Sequence, residues 1–330
     1  MRRGAFLVLL ASPVLMRRAR AQSDADPASS SARPALRVLL GSGDAQPAAA
    51  GTFTYAGRLF RGSFTRGSEG EIVNLVDLEQ YLYSVVPGEM PSGWPGGALQ
   101  AQAICSRTYV LQRSDPRRMY DLVPSELNQV YRGVAGESAA ATAAVDATAG
   151  RVLRYGGGFA QVAYSSCCGG HTEASADAWN TTPLPYLQGV VCTWCTDSPN
   201  YRWNAEMTLD AIASRFASLL APFGSLQSIA IGQKDPSGRV RDFTLVAQRG
   251  SLPVKGTSFR FAVGARTLRS LLVIDLQPPV AGSISADGGG LGHGVGLCQW
   301  GARGMALQNH SAEEILAQYF PQTTVDYLSR

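Results

Sequence analysis

The sequence predicts a mixed α+β fold, and three observations carry that reading. Short β-like runs alternate with helical stretches, but without the regular strand–helix–strand rhythm of a parallel sheet. No internal repeat interrupts that texture. Of the 330 residues, 45% are hydrophobic, enough to bury a substantial core as one elaborated domain or as two closely packed lobes forming a cleft.

The elements follow in chain order. Arg2 and Arg3 precede an apolar run from Ala5 to Met16, and Ala19-Arg20-Ala21 offers a small-x-small cleavage site, so residues 1–21 read as a signal peptide. The apolar run is about a dozen residues, short of the ~18 to 20 that span a bilayer, so the chain is expected to be exported to the periplasm, envelope or exterior and to keep no transmembrane segment after cleavage. Residues 22–35, rich in Ser, Ala, Asp and Pro, bury too little to offset chain entropy and read as a disordered linker. The domain itself is expected over residues 36–325.

The formal charge of +4 comes from 29 basic and 25 acidic residues, but Arg2, Arg3, Arg17, Arg18 and Arg20 all sit in the leader. Without them the chain is close to neutral, which argues against a nucleic-acid or anionic-membrane partner.

Leu36 to Leu40 and Thr52 to Leu59 read as strands between Gly, Ser and Pro turns. Leu78, Tyr81, Leu82 and Val85 fall at helical spacing, predicting a helix over 77–86 that Pro87 stops. A second helix is predicted over 96–112, with Pro95 near its start. Ser92-Gly93-Trp94-Pro95 links the two, and Glu89 lies at their junction. Further helices are expected over 137–148, 207–220 and 311–319. Strands are expected over 151–155, 159–165, 226–231, 240–247 and 272–276.

Glu89 stands in Pro87-Gly88-Glu89-Met90-Pro91 with Trp94 nearby, a setting that holds the backbone and can desolvate a carboxylate. Such burial raises a Glu pKa and suits it to general acid work; the plain alternative is a helix-terminal surface Glu. Asp77 and Glu79, a turn or more away, are expected to cap the helix and face solvent. Cys168-x-x-His171 followed by Cys192-x-x-Cys195 gives two ligand pairs about 20 residues apart, an arrangement that clips a loop with tetrahedral zinc. In an exported chain one or two disulfides compete with that reading, with Cys167 as a further partner. Cys105 and Cys298 read as small buried hydrophobes.

The run Asp77 to Pro91, then Trp94-Pro95, Ala98 to Ala103 and Ser106-Arg107-Thr108-Tyr109, strongly resembles the stage II sporulation protein D (SpoIID/LytB) family. The resemblance resumes at Ala163-Tyr164-Ser165-Ser166-Cys167-Cys168-Gly169-Gly170-His171-Thr172-Glu173 and at Pro185 to Val190. It continues at Ser198 to Trp203 and at Gly292-His293-Gly294-Val295-Gly296-Leu297-Cys298-Gln299-Trp300-Gly301-Ala302, ending near Pro321. It implies a lytic transglycosylase, a lyase of peptidoglycan glycan strands, with Glu89 as the sole acid/base and no catalytic cofactor. An ordinary glycosidase needs two flanking carboxyl groups, whereas here the muramic acid 6-hydroxyl would serve as nucleophile and leave a 1,6-anhydro end. The other role implied by the family is a non-catalytic, wall-binding amidase enhancer, which adds a wall amidase to the expected partners. Arg107 and Gln102, on the second helix, become candidates to orient Glu89 or bind sugar; the plain alternative for Arg107 is a surface arginine. His293 and Gln299 in the glycine-dense loop, with Trp94, are expected to line the same cleft; Ser165 and Ser166 either donate hydrogen bonds to substrate or play a structural part at a strand end. The family permits a structural zinc at the cysteine loop without requiring it.

Overall fold

The computed structural model describes residues 35–49, 51–124 and 129–328. The predicted signal peptide and linker fall outside the described residues, apart from Ala35. Among the described residues are nine α-helices and seventeen strands gathered in six small sheets, an α+β architecture. No described helix is long and apolar enough to cross a membrane.

The described residues open with an antiparallel sheet in which Glu71–Asp77 lies between Ala35–Ser42 and Ser63–Arg66. The single strand expected over 52–59 is instead a hairpin, Thr52–Tyr55 against Arg58–Arg61. Ala56 and Gly57 turn it with φ of 48° and 72°, the doubly left-handed geometry that matches strand twist.

Asp77 ends the central strand and caps α1 (Leu78–Glu89), its Oδ1 accepting from the N–H groups of Glu79 and Gln80 at 2.9 and 3.2 Å. Pro87 does not stop this helix as expected. It lies in the last turn, where its missing N–H removes one bond while Met90 N still reaches Val86 O at 2.9 Å. Glu89 is therefore the last helical residue.

α2 (Gly96–Arg113) is the axis of the first core. Ala98, Leu99, Ala101, Ala103, Ile104, Cys105 and Val110 are all buried, as are the polar residues from Gln102 to Thr108, so the helix is enclosed on nearly every side. Around it pack α1, α3 (Ala139–Ala147) and the helices Gln299–Leu307 and Ala312–Tyr319.

A second core is built wholly from residues between Trp203 and Ala286. Trp203–Thr208, Ser283–Gly288 and Val273–Leu276 form one sheet; Leu226–Ile231, Asp242–Ala247 and Gly250–Lys255 form a meander. The helix expected over 207–220 breaks at Phe216, whose backbone leaves helical geometry at φ −111° and ψ 20°, into Leu209–Arg215 and Ala217–Leu220; the Phe216 ring lies buried and parallel to Phe259 at 6.0 Å. The chain returns to the first core through Leu297–Cys298, which pairs in parallel with Tyr164–Ser165 and leads straight into the helix Gln299–Leu307.

Candidate functional site

Glu89 is half-buried, and its Oε1 accepts a hydrogen bond from Val130 N at 3.3 Å. Gly88 permits this approach, since a Cβ there would stand 2.9 Å from Val130 O. Burial raises the phenols of Tyr81, Tyr109 and Tyr164 above the ordinary tyrosine range, and Glu89 adds to the rise in each, after Tyr131 for Tyr81 and against Arg113 for Tyr109.

Trp94 lies half-buried in the elbow between α1 and α2, set edge-on to Trp300 at 5.1 Å. Gln102 and Gln299 do come together, Gln299 Nε2 to Gln102 Oε1 at 3.3 Å, but both are buried and satisfy each other; Gln102 Nε2 also reaches Ser106 Oγ at 3.0 Å. Ser165 is buried with its Oγ unpartnered among the described residues, while half-buried Ser166 accepts Trp300 N at 3.0 Å through its carbonyl. His293 is held by Val295 N, which donates to its Nδ1 at 3.0 Å, and by the Tyr164 backbone; the Trp179 ring covers it at 5.4 Å. A connected path thus runs from Glu89 through Val130, Gln129, Tyr164 and His293 to Trp179.

Arg107 does not belong to that surface. It is wholly enclosed, its Nε and Nη2 gripping Glu79 Oε1 and Oε2 at 2.9 and 2.5 Å, and its Nη1 donating to Arg151 O at 2.9 Å. The expectation that Glu79 faces solvent is overturned by the same pair: it is 4% exposed and also accepts from Gly150 N at 3.1 Å.

Four buried sulfurs, those of Cys168, Cys192, Cys195 and Cys298, lie within 4.8 Å of one another. The fourth is Cys298, not His171. His171 sits in a bridge opposite Val191, with its Nδ1 2.6 Å from Thr172 O. Cys298, expected to be only a small hydrophobe, arrives from the far end of the chain and accepts the N–H groups of Cys168 and Gly301 at 3.2 and 3.3 Å. The donor set suits a tetrahedral zinc: metal–sulfur bonds of about 2.3 Å place sulfurs ~3.8 Å apart, and Cys168 and Cys195 are separated by 3.7 Å. From the second core, Arg239 reaches into this loop, donating to Cys168 O at 2.8 Å and His171 O at 3.0 Å. Gly294 admits it, since a Cβ there would stand 2.2 Å from the guanidinium.

Two hollows, of about 320 and 230 Å³, lie at residues 228–231 with 275–279 and at residues 154–157 with 322–326; Glu89 lines neither. Sequence reasoning missed Gln129 and Val130, read Cys298 only as a small hydrophobe, and preferred Trp94 over Trp179 as the tryptophan to meet sugar. Only Trp179 carried a readable signal, as a tryptophan followed by the polar run Asn180-Thr181-Thr182; it is 45% exposed.

A family model described as stage II sporulation protein (SpoIID) matches residues 66–155, and one for a domain of unknown function (DUF8618) matches residues 193–296. An uncharacterized protein of Brachyspira hyodysenteriae is 30% identical over 252 residues, covering 76% of this chain and 66% of that protein. The amidase enhancer of Bacillus subtilis is 28% identical, over 74% of this chain but 40% of its own length. Stage II sporulation protein D of Bacillus amyloliquefaciens is 27% identical, over 75% and 74%. The α1–α2 junction with Glu89 lies inside the matched stretch 66–155, and the chain belongs to the SpoIID/LytB family.

Proposed function

We propose that the chain acts on the cell wall as a peptidoglycan lytic transglycosylase with Glu89 as general acid and base. The observation that carries this reading is the backbone-held carboxylate at the α1 terminus; of the two acids before it on α1 and its cap, Asp77 caps the helix and Glu79 is bound to Arg107. The proton of Glu89 passes to the leaving glycosidic oxygen as the bond to the muramic C1 breaks. The muramic 6-hydroxyl bonds to C1 and returns its proton to Glu89, so no water and no second carboxylate enter.

Trp94, Ser166, His293 and Trp179 are the candidates to meet the glycan. Buried Gln102, Ser165 and Gln299 support that surface from beneath. Cys168, Cys192, Cys195 and Cys298 hold a structural zinc, which with four protein ligands has no open position and braces the loop without chemistry. An exported location, in the envelope or outside the cell, follows from the substrate.

The second reading, a wall-binding enhancer of an amidase, is favoured by the relative of that name. Digesting purified, peptide-free glycan strands with wild type and Glu89→Gln, and identifying products by mass spectrometry, separates the two. Anhydro-muramic ends from wild type alone support catalysis; their absence from wild type leaves the enhancer.

A further inference from the structure

We propose that Gln129 is the positioning residue of Glu89: its side-chain amide fixes the peptide whose N–H holds the Glu89 carboxylate. This rests on Glu89 being the acid/base.

Gln129 is fully buried, and its Nε2 donates twice, to Ser106 O in the middle of α2 at 3.2 Å and to Tyr164 Oη at 3.1 Å. Both amide protons are thereby used. Reversing the amide would set Oε1 against the Ser106 carbonyl, acceptor to acceptor, so its orientation is determined by its surroundings. The next residue supplies the N–H that reaches Glu89 Oε1 at 3.3 Å, and its carbonyl lies over Gly88. Gln129 thus pins one short segment to α2 and to the Tyr164 strand, and that segment fastens the end of α1.

Gln129 acts on the site a second way. Because Tyr164 Oη accepts from the amide, its own proton remains available to give, and the phenol stands within electrostatic reach of Glu89. A backbone N–H and protonated phenols both favour the ionised carboxylate. Gln129 aligns the first and orients one of the second. None of this needs Gln129 to touch substrate.

The test titrates Glu89 in the full chain by NMR of carboxyl-¹³C glutamate, with its signal identified by its loss in Glu89→Gln. In Gln129→Met the Glu89 midpoint is expected to rise by about one unit, because a slackened N–H contact favours the neutral acid. Tyr164→Phe, whose ring can still pack against Tyr109, is expected to raise it less. On glycan strands kcat falls about tenfold in Gln129→Met, with KM within about twofold. An unchanged midpoint in Gln129→Met overturns the proposal, even where activity falls and whatever Tyr164→Phe does. If Gln129→Met does not fold, Gln129→Asn, which keeps the amide but shortens its reach, decides by the same midpoint. The titration requires no turnover, so a wild type that yields no anhydro ends would reject the catalytic reading separately.

Discussion

Arg107 and Glu79 meet in a forked ion pair that water does not reach, with side chains 0% and 5% exposed. It joins α2 to α1 and, through Arg151 O, to the strand Arg151–Tyr155. Arg107→Met would leave the Glu79 carboxylate buried and unpaired, at an expected cost of about 3 to 5 kcal/mol in denaturant unfolding. Arg107→Lys should recover only part, since an ammonium cannot reproduce the fork. A loss below about 1 kcal/mol for Arg107→Met would refute the structural role.

The sulfur cluster makes a prediction that the sequence motif alone would have inverted. Protein purified without chelator is expected to carry about one zinc per chain. Cys298→Ser should lose most of it, whereas His171→Ala should retain it, as read by metal analysis after dialysis. Equal loss from both variants would restore the histidine as a ligand and exclude the four-cysteine set.

His293 gives the fold a pH dependence. Burial, opposed by a hydrogen bond that the ring donates to the Tyr164 backbone and reinforced by the charges of Arg239 and Arg260, lowers its pKa from 6.5 to about 4. The unfolded chain takes up this proton below about 6.5 while the fold resists it down to about 4. The corresponding stability is complete above pH 6.5 and drains away between 6.5 and 4, by at most about 3 kcal/mol. Urea unfolding of His293→Gln should show a flatter profile across that window; a profile parallel to wild type would remove His293 as its source.

Gly88→Ala tests the packing that brings Val130 to Glu89. A methyl group 2.9 Å from Val130 O must push the segment away. The expected cost is about 1 to 3 kcal/mol, with loss of glycan cleavage exceeding any loss of glycan binding. A variant with wild-type stability and turnover would show that the segment yields freely.

Locally determined elements were legible in the sequence. The helix Ala312–Tyr319 announces itself by Ser311 and Glu314, which form a capping box, and Leu226–Ile231 by its apolar run. Glu89 was likewise marked by its flanking prolines and glycine. What escaped depends on distant partners. Cys298 reads as a small hydrophobe until the chain's return places it beside Cys168, 130 residues earlier. Arg107 looks like a ligand-facing cation until Glu79 is found opposite it. Gln129 lies in a stretch without periodicity, and its role exists only because α2 and the Tyr164 strand converge on it.

Cys192 and Cys195 lie just before the residues that build the second core, and Cys298 just after them. Both ends of that long excursion therefore leave the molecule's first core at one sulfur-lined point, like a bag drawn closed at its neck.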